Sequence, residues 1–162
     1  MDFKEFHITD SILPGDIGEL ISLQSRYYFE EFGYGLEFEA YISRLFSEFV
    51  YRHDLSEALW KATKDGRIVG SVALFREDET TARLRLLFVH PEERGKGLGK
   101  ALVDLAVEFA GKHRYSSIVL MTEDILTSAG KIYEKTGFEI IETERTNMWG
   151  VDCELQTYRK VL

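Results

Sequence analysis

The spacing of hydrophobic residues alternates along the chain between a helical and an extended period, and it predicts one element after another. A short strand is predicted over residues 3–9, followed by a helix that begins near Pro14 and Asp16 and ends at Gly33 and Gly35. A second helix is predicted by apolar residues that share one face, namely Phe38, Tyr41, Ile42, Leu45 and Phe49.

The middle of the chain predicts three consecutive strands and a helix. The two apolar runs in LWKATKDGRIVGSVALF flank Asp65-Gly66, a dipeptide typical of the tight turn of a β-hairpin. The run ARLRLLFV at residues 82–89 predicts the third strand. A helix then opens within VHPEERGKGLGKAL, and its apolar stripe consists of Leu98, Leu102, Leu105, Ala106 and Phe109.

The last part of the chain predicts a strand, a helix and two strands. The apolar run SIVLMT within residues 117–122 is typical of a strand buried on both faces. A helix is expected from about Ile125 to Gly137, a glycine well placed to end it, and strands over 138–146 and 151–161. The resulting order, β-α-α-β-β-β-α-β-α-β-β, indicates an α/β fold with a mixed, mostly antiparallel sheet flanked by helices. The connection from residue 82 to residue 122 requires one parallel strand pair.

Composition narrows the classes of function. The 162 residues contain no repeat or long linker, so we expect one domain over residues 1–162. A net charge of −8 disfavours nucleic acid as a partner and is compatible with a cationic substrate such as an amine. The apolar runs are too short to span a membrane. One cysteine, Cys153, fits a reducing cytoplasm, and four scattered histidines predict no metal site.

Three glycines lie within five positions between the predicted third strand and the helix that follows it. They alternate with basic residues in the segment Arg94, Gly95, Lys96, Gly97, Leu98, Gly99 and Lys100. The spacing fits neither the G-x-G-x-x-G dinucleotide fingerprint nor the P-loop. Backbone N–H groups at a helix N-terminus, supported by cations, favour an anion such as pyrophosphate. A plain turn is the alternative, although a turn would need one glycine rather than three.

This segment resembles a known family. FVHPEERGKGLGKAL is similar to the acetyl-CoA loop of the GNAT superfamily of N-acetyltransferases, R/Q-x-x-G-x-G/A, at Arg94, Gly97 and Gly99. AGKIYEKTGF resembles the second signature of the superfamily, and the order of elements agrees over the whole chain. Further stretches such as FEAYI and WGVDCELQTYRKVL resemble a subgroup often fused to a MarR-type regulator domain. That domain is not recognisable here, so we do not expect DNA binding.

The resemblance implies a function and a cofactor site. It implies acetyl-CoA as co-substrate, no metal, and a gap between two splayed parallel strands in which acetyl-CoA lies. Backbone groups of the first strand would bind the pantetheine and polarise the thioester, and the glycine segment would bind the pyrophosphate. The implied contacts are Leu87, Phe88, Val89, the segment from Arg94 to Lys100, Ala129 and Tyr133.

The implied reaction is direct attack of a neutral amine on the thioester, which needs a base and a proton donor for the departing thiolate. Tyr133 occupies the tyrosine position of the family and is the candidate donor; the alternative is that it only packs. Many relatives carry a glutamate base on the cofactor strand, where this chain has Arg83 and Arg85. Glu123, just past the buried strand, is the candidate base, and Glu31 and Glu39 on the first two predicted helices are further candidates. A solvated surface role for any of them, or water as the base, is the alternative.

The acceptor is less well defined by the sequence. YYFEEFGYGLEFEAY, residues 27–41, mixes aromatic rings and carboxylates that suit an amine on an apolar body. The substrate-binding candidates are Tyr28, Glu31, Phe38 and Glu39. The alternative is that the rings belong to the core and the acids face solvent. Cys153 is expected to pack as a small hydrophobe, with thiol catalysis as the alternative.

These observations predict an acetyl-CoA-dependent N-acetyltransferase acting on a primary amine of a small molecule, an amino-acid derivative or a peptide. A CoA-binding sensor or regulatory subunit without turnover is the alternative. A pure interaction module is disfavoured because nothing structural requires three glycines in the loop. We expect a cytoplasmic location and neither nucleic-acid nor membrane partners, and leave open whether the protein forms a homodimer.

Overall fold

The structure, a computed structural model, describes residues 1–162 and contains four helices and eight strands. The helices are α1 (Asp16–Phe32), α2 (Leu36–Arg52), α3 (Leu98–Lys112) and α4 (Thr127–Lys135). The strands are β1 (Asp2–Phe3), β2 (Phe6–Thr9), β3 (Ala58–Lys64), β4 (Arg67–Arg76), β5 (Thr81–Val89), β6 (Ser117–Glu123), β7 (Glu139–Thr146) and β8 (Cys153–Val161).

The predicted order of elements is confirmed, with one difference at the N-terminus. The strand expected over residues 3–9 is a small hairpin, in which Asp2 pairs with His7 and Phe3 with Phe6. The chain reverses because Lys4 adopts a left-handed backbone conformation, with φ of 53°. An apolar pattern cannot reveal a reversal this short.

All eight strands form one sheet in the order β1-β2-β3-β4-β5-β6-β8-β7, and only β5 and β6 are parallel. The hairpin predicted at Asp65-Gly66 joins β3 to β4, and both turn residues have positive φ, as a two-residue turn of this kind requires. The predicted mixed, mostly antiparallel sheet is thereby confirmed.

Helices cover both faces of the sheet, because successive residues of each strand point to opposite sides. Trp60 and Leu74 pack with the buried stripe of α3, which includes Leu102 and Ala106. On the other face, alternate residues of β3 and β4 pack against α1 and α2 in a second cluster made of Leu20, Leu45, Phe46, Leu59, Ile68, Ala73 and Phe75.

The parallel strands β5 and β6 pair along only part of their length. The ladder joins Thr81 to Ser117 and ends where Arg83 pairs with Val119. Beyond that point β5 stays paired with β4 and β6 with β8, so the two strands diverge. The predicted splayed pair is confirmed, and the gap exposes the backbone edge of β5 on the side that faces β6.

A β-bulge changes the direction of β5 inside this gap. Val72 of β4 lies opposite two residues of β5, Leu86 and Leu87, and Leu86 has a φ of 56°. The Ser71 hydroxyl donates a hydrogen bond of 2.8 Å to the Leu86 carbonyl. A positive φ at a leucine is unfavourable on its own, so the surrounding sheet must hold it in place.

Candidate active site

A groove of about 390 Å³ follows the gap from β5 to the glycine segment and α4. Most of the residues that the sequence assigned to the cofactor line it: Leu87, Phe88, Val89, Arg94, Gly95, Gly97, Leu98, Gly99, Lys100 and Ala129. The side chain of Leu98 is fully buried in the core, so this residue can offer a ligand only its backbone. One wall of the groove was missed by the sequence reasoning: Ser128, Lys131, Ile132 and Lys135 of α4.

The N-terminus of α3 has the features of an anion site. Gly95 and Gly97 have φ of 77° and 89°, which glycine adopts readily. The first turn of α3 contains no acidic residue, and no side chain caps its N–H groups. A Cβ at Gly99 would lie only 2.6 Å from Ile132 Cδ1, so glycine at this position keeps the groove open. These residues fit a phosphate-bearing ligand.

Two of the predicted phosphate-binding cations line the groove, but each already contacts a neighbour. The Arg94 guanidinium lies 4.3 Å from the centre of the Tyr27 ring, and its Nη1 donates a hydrogen bond of 2.5 Å to the hydroxyl of that tyrosine. Its Nε donates to the Val89 carbonyl at 3.1 Å. Lys100 pairs with Asp104 at 2.6 Å on the exposed surface. These contacts hold Arg94 against the end of β5.

Lys96 points away from the groove. Its ammonium pairs with Glu93 at 2.6 Å and with Glu5 at 3.3 Å, and Lys64 binds the same two carboxylates. The network ties the glycine segment to the N-terminal hairpin and to β3. The Lys96 side chain therefore has a structural role rather than the predicted contact with phosphate. Only the backbone of Lys96 is available to a ligand.

A second cavity, of about 150 Å³, continues from the groove between β5, β6, α1 and α2. The two spaces share the lining residues Tyr28, Leu87 and Ala129, so they meet at the bulge of β5. An activated group brought along the groove and an acceptor placed in the cavity would come together there.

Tyr133 of α4 lies in the wall of this cavity. Its residue is 5% exposed, and its ring packs 5.6 Å from the Tyr158 ring and 6.0 Å from the Phe138 ring. Burial raises the pKa of Tyr133 well above the ordinary value, so the phenol remains protonated at neutral pH. The hydroxyl forms no hydrogen bond with the protein, which leaves it available as a donor.

Glu123, the last residue of β6, lies in the same cavity and is 9% exposed. Trp149 Nε1 donates a hydrogen bond of 2.7 Å to its Oε1. Burial raises the pKa of Glu123 above its ordinary value, and this effect exceeds the opposing hydrogen bonds. A carboxyl with a raised pKa that lines a cavity is chemically suited to accept a proton from a group bound there.

The four substrate candidates separate into two pairs. Tyr28 and Phe38 line the cavity and belong to an aromatic cluster in which their ring centres lie 4.8 Å apart. Glu31 and Glu39 are exposed on the helices, and neither lines this cavity. For residues 27–41, the alternative was that the acids face solvent. Glu31 and Glu39 do face solvent.

The sequence reasoning missed several residues of the cavity. Tyr34 and Tyr41 come from the stretch it examined, whereas Gln24 and Trp149 carried no signal because they are far apart in the chain. Arg85 was noticed only as a departure from the expected glutamate. A basic residue at position 85 of β5, where many relatives carry a glutamate, was the one sequence signal that could have indicated a positive charge in the cavity.

Other chemistry has little support in the structure. No group of three or more His, Cys, Asp or Glu side chains is arranged to hold a metal ion. Cys153 is half-buried outside this cavity, and burial raises the pKa of its thiol, which disfavours the nucleophilic thiolate. None of the helices combines the length and apolar character needed to cross a bilayer.

Comparison with known proteins identifies relatives with similar sequences. N-acetylaspartate synthetase of Danio rerio is 39% identical over 106 residues, which cover 64% of this chain and 38% of the relative. The enzyme of the same name from Xenopus tropicalis is 34% identical over 137 residues, which cover 83% of this chain and 51% of the relative. The chain thus spans about half or less of the length of these relatives.

The fold is also that of solved acetyltransferases. A GNAT-family acetyltransferase from Staphylococcus aureus superposes with a TM-score of 0.79 over 97% of this chain and 99% of its own, at 21% identity. The model of the acetyltransferase (GNAT) family matches residues 18–138, which include the glycine segment, the splayed strands and Tyr133. The chain belongs to the acetyltransferase (GNAT) family.

Proposed function

We propose that this protein is an N-acetyltransferase that moves an acetyl group from acetyl-CoA to a primary amine of a small molecule, an amino-acid derivative or a peptide. The observation that carries the proposal is the junction of the groove and the cavity at Tyr28, Leu87 and Ala129. Relatives named N-acetylaspartate synthetase support an amine as the acceptor.

The residues of the groove fit acetyl-CoA, which the family uses as co-substrate and which supplies the acetyl group as an activated thioester. The N–H groups of residues 94–100 at the start of α3 would bind the pyrophosphate. The unpaired edge of β5 beyond Arg83 would bind the pantetheine, and its N–H groups near the bulge would face the thioester carbonyl.

Glu123 would remove the proton that the attacking amine must lose, directly or through a water. Its raised pKa favours this role, because a carboxylate that holds a proton more strongly is a stronger base. Tyr133 would donate its phenolic proton to the departing thiolate. The hydroxyl has no hydrogen-bond partner in the protein, and burial keeps it protonated, so a proton is available at this position.

The test of Tyr133 removes only its hydroxyl. Tyr133→Phe should lower the single-turnover rate of acetyl transfer at saturating acetyl-CoA by roughly 100-fold, the lower range for a general acid. Acetyl-CoA affinity should change by no more than a few-fold. Because the hydroxyl has no partner in the protein, stability should change by less than about 1 kcal/mol.

Tyr158→Phe is the matched control, since it removes the hydroxyl of the neighbouring buried tyrosine, which lies outside the cavity. Its rate should stay near that of the wild type. A wild-type rate for Tyr133→Phe would reduce Tyr133 to a packing residue.

Calorimetry with acetyl-CoA and thiol release with a panel of amines test the whole proposal. Binding without thiol release for any amine would favour the CoA-binding sensor, and absence of binding would refute both. The single-domain organisation, the MarR-associated subgroup, a cytoplasmic location and a homodimer stay predictions.

A further inference from the structure

Two arginines of β5 line the acceptor cavity, and only one of them forms a salt bridge. Glu77 binds Arg83 through two hydrogen bonds of 2.6 and 2.9 Å. Arg85, two residues further on the same face of the strand, forms no salt bridge. Its Nη1 donates a hydrogen bond of 2.6 Å to the Tyr41 hydroxyl, and this is its only hydrogen bond to the protein. A guanidinium carries five N–H donors, so most of those of Arg85 remain without an acceptor.

One further donor among the residues that line the cavity lacks an acceptor. The Gln24 amide nitrogen has no hydrogen-bond partner in the protein, and the residue is only 2% exposed. A buried donor without a partner is unfavourable, because it has lost its hydrogen bonds to water and gained none in the protein. Arg85 and Gln24 in one small cavity therefore indicate a ligand that brings acceptor atoms, and the positive charge of Arg85 indicates that these atoms are anionic.

The cavity also contains the opposite charge. From Arg85 a chain of contacts leads through Tyr41, whose ring centre lies 4.9 Å from that of Trp149, to Glu123, which accepts the indole hydrogen bond. A guanidinium and a carboxylate thus face one small space from its two diverging strands, β5 and β6. A ligand with an anionic and a cationic end would match both.

We propose that the acceptor is a free amino acid whose carboxylate binds the Arg85 guanidinium while its amine faces Glu123. The position of the amine rests on the proposed function, whereas the carboxylate site rests on Arg85 and Gln24. Arg85 is thereby a specificity-determining residue. Amines without a carboxylate would leave its donors unpaired, a penalty that separates good from poor substrates.

A binding experiment tests the carboxylate site without requiring turnover. The protein, saturated with CoA, is titrated with N-acetyl-amino acids and with the corresponding N-acetyl-amino acid amides, in which a neutral amide replaces the carboxylate. At least one N-acetyl-amino acid of the panel should bind about 10- to 100-fold more tightly than its amide, as expected for a charge-assisted hydrogen bond. Equal affinities of acids and amides across the panel, or binding of neither, would overturn the proposal.

Two variants test whether Arg85 is the residue that causes the preference for the acid over the amide. Arg85→Gln should abolish the preference for the acid while leaving CoA affinity unchanged. Arg83→Gln removes the same charge from the same strand, but its guanidinium is already bound by Glu77, so the preference should persist. If Arg85→Gln keeps the preference, the carboxylate is bound elsewhere and the proposal is wrong.

Turnover separates this inference from the proposed function. Free amino acids should release thiol with higher kcat/KM than their decarboxylated amines, and Arg85→Gln should remove the difference by raising KM. Preferential binding of the acids without turnover would retain the carboxylate site and refute the acetyltransferase. Turnover that is equal for amino acids and decarboxylated amines would retain the enzyme and refute the carboxylate site.

Discussion

Glu123 illustrates how one residue acquires its chemistry from burial. Its carboxyl accepts the Trp149 indole hydrogen bond, yet removal from water raises its pKa more than this bond lowers it. The Tyr34 hydroxyl lies close enough to influence the carboxyl without forming a hydrogen bond of good geometry. The folded protein therefore holds this proton more strongly than the unfolded chain does.

The stability of Glu123→Gln relative to the wild type should depend on pH. Below the ordinary pKa of 4.5 the carboxyl is protonated in both the folded and the unfolded state, and the two proteins should differ little. As the pH rises above that value, the unfolded wild type loses the proton first, so the wild type loses stability until the folded carboxyl also ionises. Glutamine does not titrate, so the variant should be more stable than the wild type at neutral pH, by a difference that grows from pH 4 upward.

Urea unfolding at several pH values between 4 and 8 measures this difference. Glu142→Gln, an exposed glutamate on β7, serves as the control and should show a difference that is small at every pH. A Glu123→Gln difference that stays constant from pH 4 to 8 would contradict the raised pKa.

At the scale of the element, the two glycines at the start of α3 shape both the packing of the helix and the groove beside it. Gly97 ends the loop in a left-handed conformation, and Gly99 allows Ile132 of α4 to approach α3 closely. The same glycine lines the groove, so α3 can pack against α4 without closing the space between them. The uncapped N–H groups of this turn lie at that opening.

Two glycine-to-alanine substitutions in α3 separate the effect of helix propensity on stability from the effect of the close contact between α3 and Ile132. Gly111→Ala should stabilise the protein by up to about 1 kcal/mol, because a Cβ there meets no other atom. Gly99→Ala should gain less, because its Cβ would lie 2.6 Å from Ile132 Cδ1 and that side chain must shift. The shift narrows the groove, so acetyl-CoA affinity should fall roughly tenfold, or about 1.4 kcal/mol.

Thermal unfolding and calorimetry give both quantities for both variants. Gly111→Ala is the affinity control, since it lies at the opposite end of α3 from the groove. Unchanged affinity for Gly99→Ala would mean that the groove does not hold the ligand along α4.

At the scale of the whole molecule, the distribution of charge matters more than its sum. The chain carries a net charge of −8, yet Arg94, Lys100, Lys131 and Lys135 all line the groove. Lys131 and Lys135, one turn apart on α4, form no salt bridge. The acidic protein thus contains a local cationic surface suited to the phosphates of CoA.

Acetyl-CoA binding should weaken as salt is added, because the charges at the groove are exposed to solvent and are screened. We expect a loss of about tenfold between 50 and 500 mM salt, measured by calorimetry. Acetyl-pantetheine, which lacks the charged nucleotide, is the control and should bind with little salt dependence. Equal salt dependence for both ligands would place the nucleotide away from these lysines.

The order of the elements could be predicted from the sequence because each signal is local. Apolar spacing determines which face of a helix or strand is buried, and turn chemistry at Asp65-Gly66 and Gly137 determines where two elements end. The glycine segment likewise indicated an anion site, since a helix N-terminus forms its own donors. The hairpin within residues 2–9 escaped prediction, because a two-residue strand has no measurable period.

The cavity beside Glu123, proposed to bind the acceptor, was decided by the tertiary structure. Glu31 and Glu39 have the composition expected of an amine site, yet their helices turn them to solvent, while Lys96 is drawn toward Glu93 and Glu5. Arg85 and Trp149 meet Glu123 only because β5 and β6 diverge after Arg83 and the loop between β7 and β8 folds over the gap. Convergence of residues far apart in the chain depends on strand register, a bulge and the packing of the helices, and no local pattern of side chains encodes these.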